Sequence, residues 1–300
     1  MKRINVWITP VVALSVVAIA FGCASKATAD PSSDVSSYTT SSETDINIVK
    51  KQYNISYKCP DDTTWGSDIK VYTTVDADLQ WIGKYGDCDL TALHKAILKT
   101  AFSDSCVTSK TDLDSAVKKY LSTPVMNEDV KAIPFKGEAP ASADGIMTLS
   151  KSVQGRIQKL GGDKYDANVL VYRISFSDYQ GGAHGNYGYA YINFDPSTSS
   201  VITMDKIFKS GSKPQLLKLI KKQLCEDNHV HSLAGLDDLG FFPDQIKVAE
   251  QFFVDTEGIC FSYDPYDIAC YATGAVSVTV PYYDLRDTLT DYAKKLFGMD

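Results

Sequence analysis

The chain carries only four histidines among its 300 residues, and no Cys-x-x-Cys pair occurs anywhere in it. The missing pair removes the usual ligand spacing of a zinc knuckle and the dithiol of a thioredoxin-like site. Gly-x-Ser-x-Gly, His-Glu-x-x-His and His-x-x-x-His are absent as well, so the local signatures of a serine hydrolase or a metalloprotease are missing. Ser-x-x-Lys spacing does occur, at Ser67 and Lys70 and at Ser115 and Lys118, without the companion Ser-Asp-Asn and Lys-Thr-Gly elements. There is no excess of basic residues either. With 30 Lys and Arg against 37 Asp and Glu the net charge is −7, which argues against nucleic acid as a partner, because phosphates need a basic footprint. No internal repeat is visible. The longest apolar run, Val6 to Phe21, contains Thr9, Pro10 and Ser15 and falls short of the roughly 20 apolar residues of a spanning helix.

That run is preceded by Lys2 and Arg3 and followed by a polar stretch, the pattern of a secretory signal peptide over residues 1–22. Cys23 directly after Gly22 resembles the lipobox of bacterial lipoproteins, whose cysteine is diacylated, with palmitate-type chains, and becomes the mature N-terminus. Each buried methylene adds about 0.8 kcal/mol of membrane affinity, so two or more acyl chains would hold the protein stably to membrane lipid. Cleavage near Ala27 or Ala29, leaving no anchor, is the other reading. The expected location is the cell envelope, lipid-anchored and facing the periplasm or exterior. Residues 23–45 are rich in Ser, Thr, Ala and Asp and poor in large apolar groups, as in a flexible tether.

Six further cysteines, Cys59, Cys88, Cys106, Cys225, Cys260 and Cys270, form an even set in an exported chain, so disulfides are open to them. Cys260 and Cys270 are the best placed, because the chain turns between them at Asp264-Pro265. The alternative is that they are small buried apolar residues.

Hydrophobic periodicity alternates between two and 3.6, which predicts an α+β fold of two small domains, each an antiparallel sheet packed with helices. Strands are expected over Ile46–Lys58 and Lys70–Val75, with a bulge or break near Ile46 and Ile48, whose parity is opposite to that of Tyr53, Ile55 and Tyr57. Helices are expected from Leu90 to Ala101, from Asp112 to the stop at Pro124, and from Thr148 to Leu160, where Gly161-Gly162 would end it. Asn168–Ser177 and Tyr187–Asp195 read as strands of a long-looped hairpin. A boundary near Asp195 to Val201 divides the chain into domains at 46–198 and 199–300. Further expectations are a helix over Pro214–Glu226, strands over Val248–Val254, Ile259–Tyr263 and Ala275–Val280, and a closing amphipathic helix over Tyr283–Phe297.

The hairpin loop carries the most informative residues, Tyr179-Gln180-Gly181-Gly182-Ala183-His184-Gly185. His184 could act as a general base if Asp178 oriented it and a serine lay nearby. It could equally donate to a carbonyl and fix the turn, with the glycines supplying positive φ. Beyond the loop, Tyr187, Tyr189 and Tyr191 share one strand face, a surface that could bind sugar rings or lie under a neighbouring domain. The candidate binding residues are therefore Gly182, His184, Tyr187, Tyr189 and Tyr191. No catalytic residue, metal or cofactor is assigned. His229 and His231 could chelate a metal with Asp227 or Glu226, because alternate residues of an extended chain point the same way.

The loop motif, the segments Ile202-Thr203-Met204-Asp205-Lys206-Ile207-Phe208 and Val280-Pro281-Tyr282, and the stretch Gly258 to Gly274, with Tyr263, Pro265, Tyr266 and Tyr271, resemble the extracytoplasmic region of the RsiV-like family over nearly all of residues 45–297. Cys270 stands where proline is common. The resemblance implies a PdaC-type N-terminal domain over 46–198 and an RsiV-type C-terminal domain of unassigned function over 199–300. The membrane-spanning members are anti-sigma factors that bind lysozyme. Anti-sigma activity is not expected here, since the sequence shows neither a sigma-binding segment nor a retained spanning helix. The deacetylase domain that follows in PdaC-type enzymes is not matched. Two functions follow as expectations: a binding module for a lysozyme-like protein or peptidoglycan glycan, or a cell-wall-modifying hydrolase using His184.

Overall fold

A computed structural model describes residues 34–38, 46–60, 68–102, 112–123, 132–161 and 167–299. The leader, Cys23 and Cys106 lie outside the described residues. In chain order the elements are β1 (Asp34–Tyr38), β2 (Ile46–Lys58), β3 (Lys70–Tyr85), α1 (Thr91–Phe102), α2 (Leu113–Leu121), β4 (Ile133–Phe135), β5 (Ile146–Lys159), β6 (Leu170–Tyr179) and β7 (Asn186–Asp195). They continue with β8 (Ser200–Ile202), α3 (Met204–Ile207), α4 (Lys213–Asp227), α5 (Leu233–Asp237), β9 (Gln251–Val254), β10 (Gly258–Tyr263), β11 (Val276–Pro281), α6 (Tyr282–Leu285) and α7 (Asp291–Leu296). The fold is α+β with two sheets. The larger runs β1-β2-β3-β5-β6-β7-β8, with β4 also on β2, and the smaller runs β11-β10-β9. All pairings in both are antiparallel except that of β3 with β5. Among the described residues no helix is long and apolar enough to cross a membrane.

One face of the large sheet buries Tyr53, Tyr57, Val75, Leu79, Val153, Tyr172, Ile174, Ile192 and Phe194 under α1 and α2. α2 starts at the Asp112 cap, whose carboxylate accepts from the Ser115 N–H. It is fastened to β2 by Tyr53, which donates to Asp114 Oδ1 at 2.6 Å, and by Tyr57, which donates to the Leu121 carbonyl at 2.6 Å. The expected irregularity near Ile46 is present. Asn47 pairs with Lys84 and Ile48 with Ile82, so the extra residue of the bulge is Gly83 on β3. β1 lies inside the stretch expected to be a tether and pairs with β2, Asp34 opposite Gln52.

Three expectations are corrected. Thr148–Leu160 belongs to a strand, β5, and not to a helix. Leu149, Val153 and Ile157 recur every four residues, a spacing that fits one helix face and one strand face alike, and pairing with β3 and β6 decides between them. Gly155 marks the same choice. A Cβ there would run into the Tyr172 hydroxyl and Leu79, whereas as glycine it lets the Tyr172 hydroxyl cross to the Gln80 carbonyl at 3.0 Å.

The C-terminal helix is likewise two short helices. Leu285, Leu289 and Ala293 again recur every four residues and are all buried. The chain between α6 and α7 leaves the helix to pair with the segment after α3: Lys209 N–H donates to Thr288 O at 2.8 Å and Thr290 N–H to Ile207 O at 2.9 Å. Thr290 then caps α7 through Ala293 N–H.

Finally, no disulfide joins Cys260 and Cys270 or any other pair among the described cysteines. Cys260 is buried in β10 and the Cys270 thiol hydrogen-bonds Thr273 at 3.4 Å.

The smaller sheet packs with α4 around Phe261, Val278, Val280, Leu216, Ile220 and Leu224, and the same core takes in Val169 and Val171 at the start of β6. The two sheets meet along the edge of β7. Antiparallel partners cover that edge only at Asn193–Asp195, through β8. Elsewhere side chains from the second sheet do the work of a missing strand. Asp264 Oδ1 accepts from the Tyr189 N–H at 2.8 Å and Gln251 Oε1 from the Tyr191 N–H at 3.1 Å. Buried Asn193 completes the seam, donating to Phe252 O at 2.9 Å and accepting from Val254 N–H at 2.8 Å. These bonds satisfy polar groups that a bare strand edge would leave open.

Candidate functional site

The loop between β6 and β7 turns on two glycines in left-handed backbone, Gly181 at φ 91° and Gly182 at φ 100°. Tyr179 closes it by donating its hydroxyl to Gly182 O at 2.9 Å. His184 Nδ1 lies 3.0 Å from Gly185 O. A carbonyl can only accept, so Nδ1 carries the proton in this contact. Asp178 does not orient the ring; its carboxylate accepts from Gln180 Nε2 at 2.9 Å.

Across from this loop stands the connection from β10 to β11. Tyr266 sits there at φ 71°, unusual for a side chain of its size. Asp264 N–H donates to Asp267 Oδ2 at 3.0 Å, which tightens the turn around it. Burial pushes the Asp264 carboxyl above the usual carboxylate range, the Tyr189 N–H opposes that rise, and nearby Asp267 adds to it. Gly188 on β7 makes room for this carboxylate, since a Cβ there would collide with it. Cys270 has φ −65° and ψ 159°, values that proline also adopts, but its N–H donates to Gly240 O at 2.8 Å, a bond proline would lack.

The two segments close on each other through aromatic rings. His184 stacks on Tyr271 with centroids 3.8 Å apart and planes at 19°, and the Tyr271 hydroxyl donates to Gly185 O at 2.7 Å. Tyr271 also meets Tyr187 edge-on at 6.1 Å and Tyr266 at 5.5 Å. Tyr187 accepts from Ala275 N–H at 3.2 Å, against Gly274 at φ 77°. Between them is a cleft of about 560 Å³, with Gly181, Gly182, His184, Asn186 and Tyr187 on one wall and Pro265, Tyr266, Asp267 and Tyr271 on the other.

Of the residues singled out from sequence, His184, Gly182 and Tyr187 lie in this cleft. Tyr189 instead borders a second, smaller cleft of about 340 Å³ with Lys247, Glu250, Ser262 and Asp264. Tyr191 lines neither; its ring packs 4.6 Å from Phe253 of the second sheet. Tyr266, Asp267 and Tyr271 were not singled out as site residues. Their density of tyrosine beside Pro265 was visible, but nothing local tells that this stretch folds back on the glycine loop. His94 is structural, with Nε2 2.7 Å from Ile82 O and its ring stacked on Trp81 at 4.2 Å. His229 has φ 56°, so the extended geometry needed to align it with His231 is not formed. Among the described residues no group of three or more His, Cys, Asp or Glu is placed to hold a metal ion.

Fold and site together define a two-sheet α+β protein with an aromatic cleft at the seam between its sheets. The chain carries a DUF3298 domain: residues 205–283 match the family described as a protein of unknown function (DUF3298). The whole fold is similar to the crystal structure of a DUF3298 family member from Bacteroides fragilis, at 22% identity and a TM-score of 0.64 over 90% of this chain and 98% of that one. It is also similar to a DUF3298 family protein from Pseudomonas aeruginosa, at 15% identity and a TM-score of 0.52 over 81% and 95% of the two chains. No curated protein matches the sequence.

Proposed function

We propose that the protein is an extracytoplasmic lipoprotein, held at the cell envelope through acylated Cys23, that binds a cell-wall glycan in the aromatic cleft. One observation carries this reading. Tyr187, Tyr266, Tyr271 and His184 converge from two distant segments on an open space of about 560 Å³, inside the roughly 300–1,000 Å³ range of ligand sites. Aromatic faces take the apolar face of a sugar ring, and Asn186 and Asp267 at the wall offer partners for its hydroxyls. Hydrolysis is less well supported. His184 Nδ1 is engaged by a carbonyl, and no serine or carboxylate among the described residues hydrogen-bonds the ring.

The resemblance to the RsiV-like family supports a second ligand class, a lysozyme-like protein, along with the division into a PdaC-like 46–198 and an RsiV-like 199–300. The full chain in detergent, titrated with peptidoglycan fragments and separately with lysozyme, distinguishes these. Tyr271→Ala and His184→Ala should each weaken glycan binding by about threefold to tenfold, the scale of one lost ring contact. Sugar released from peptidoglycan by the wild type and not by His184→Ala would make the protein a hydrolase. Failure to bind either ligand would sink both binding readings.

A further inference from the structure

Opposite the helices, the second face of the large sheet is polar. Asn54, Gln154 and Ser177 are exposed on it. On it Arg156 holds Asp78 with both terminal nitrogens, at 3.2 and 2.7 Å, and donates to the Asp78 and Gly155 carbonyls besides. Arg173 is different. It stands in the middle of β6, opposite Arg156 on β5 and Tyr191 on β7. It has no hydrogen bond or ion pair among the described residues, and its buried Nε–H is unsatisfied. Its guanidinium lies 5.7 Å over the Tyr189 ring. An unpaired, half-buried cation is costly to hold, the more so with a second guanidinium as its cross-strand neighbour.

The cation is also joined to the cleft. Tyr187 lines the cleft, Tyr189 meets Tyr187 edge-on at 5.9 Å, and Arg173 covers Tyr189. An aromatic path therefore runs from the ring-binding space to the half-buried guanidinium, whose planar fork matches a carboxylate. We propose that Arg173 anchors a carboxylate carried by the glycan that fills the cleft, so that the site prefers acidic sugars to neutral ones. The inference rests on the glycan-binding reading above and names the class of glycan.

Two probes test it on the full chain: a tetrasaccharide of alternating N-acetylglucosamine and N-acetylmuramic acid with free lactyl carboxylates, and the same molecule with those carboxylates converted to methylamides. The wild type should bind the acid about tenfold more tightly than the amide, one charge-assisted hydrogen bond's worth. Arg173→Met should lower acid affinity to the amide's level and leave the amide unchanged, while Arg173→Lys keeps part of the preference. Equal affinity of the wild type for both probes would overturn the role of Arg173 and leave glycan binding in the cleft standing. If neither probe binds, or only lysozyme does, the glycan reading falls and this inference with it. The wild-type comparison needs no variant to fold.

Discussion

At Asp195 burial and hydrogen bonding pull in opposite directions. Burial disfavours its charge, but Ser197, Tyr292 and Thr198 all donate to it, and the carboxyl is held below its usual 3.8. A depressed folded-state pKa stabilises above the unfolded value and loses that contribution as pH falls through the folded one. Asp264 has the opposite sign: its pKa is raised from 3.8, so its contribution is full below that value and is lost as pH rises through the folded pKa. Urea titrations at pH values on either side of 3.8 should therefore show Asp195→Asn removing part of the acid-side loss of stability. The same change should cost about 1.5–3 kcal/mol at neutral pH, where hydrogen bonds to the charged group disappear. An unchanged acid limb in that variant would mean that Asp195 is not a stabilising charge. Asp264→Asn should instead flatten the loss on the side above 3.8.

Among the elements β7 holds the most consequences. One edge of it pairs with β6, and the other, beyond its short pairing with β8, is closed by single side chains: Asn193 bonding β9 twice, Gln251 reaching Tyr191, and Asp264 reaching Tyr189. Asn193→Ala strands Phe252 O and Val254 N in a buried seam, which should cost about 1–3 kcal/mol per group. Asn193→Asp would keep only the acceptor and should be worse than its small change in shape implies, read as the midpoint shift in urea.

β7 was legible in the sequence because its alternation Tyr187, Tyr189, Tyr191 against Ala190, Ile192, Phe194 has a period that only a strand satisfies. β5 and the C-terminal segment were not, because Leu149, Val153, Ile157 and Leu285, Leu289, Ala293 keep a spacing of four that serves both periods. β3 reads to Val75 and runs to Tyr85, since Asp76 and Asp78 are poor strand formers that face the open polar side.

Over the whole molecule each sheet has its own core, and the second core reaches into the first sheet. The side chains of Val169 and of Val171 in β6 pack among the residues of the second sheet, both fully buried, and Tyr191 rests on Phe253. Residues 46–198 produced alone would expose this apolar strip. We expect that fragment to bind a hydrophobic dye and to melt well below the intact chain, which should itself unfold in one transition. A fragment as stable as the full chain, or two separate transitions, would show the sheets to be independent. The aromatic cleft belongs to this scale as well, because its walls come from either side of the seam.

The sequence by itself determined the α+β class, the order of most elements, the hairpin and the glycine loop, since periodicity, capping and turn chemistry act within a few residues. It also marked His184 and Tyr187 as worth testing. Only the tertiary structure decided that Tyr271 stacks on His184, that Tyr191 is packing and not cleft, and that Arg173 has no anion among the described residues. These depend on the β10–β11 connection folding back on the hairpin loop, and on cross-strand register across β5, β6 and β7, neither of which local periodicity can encode.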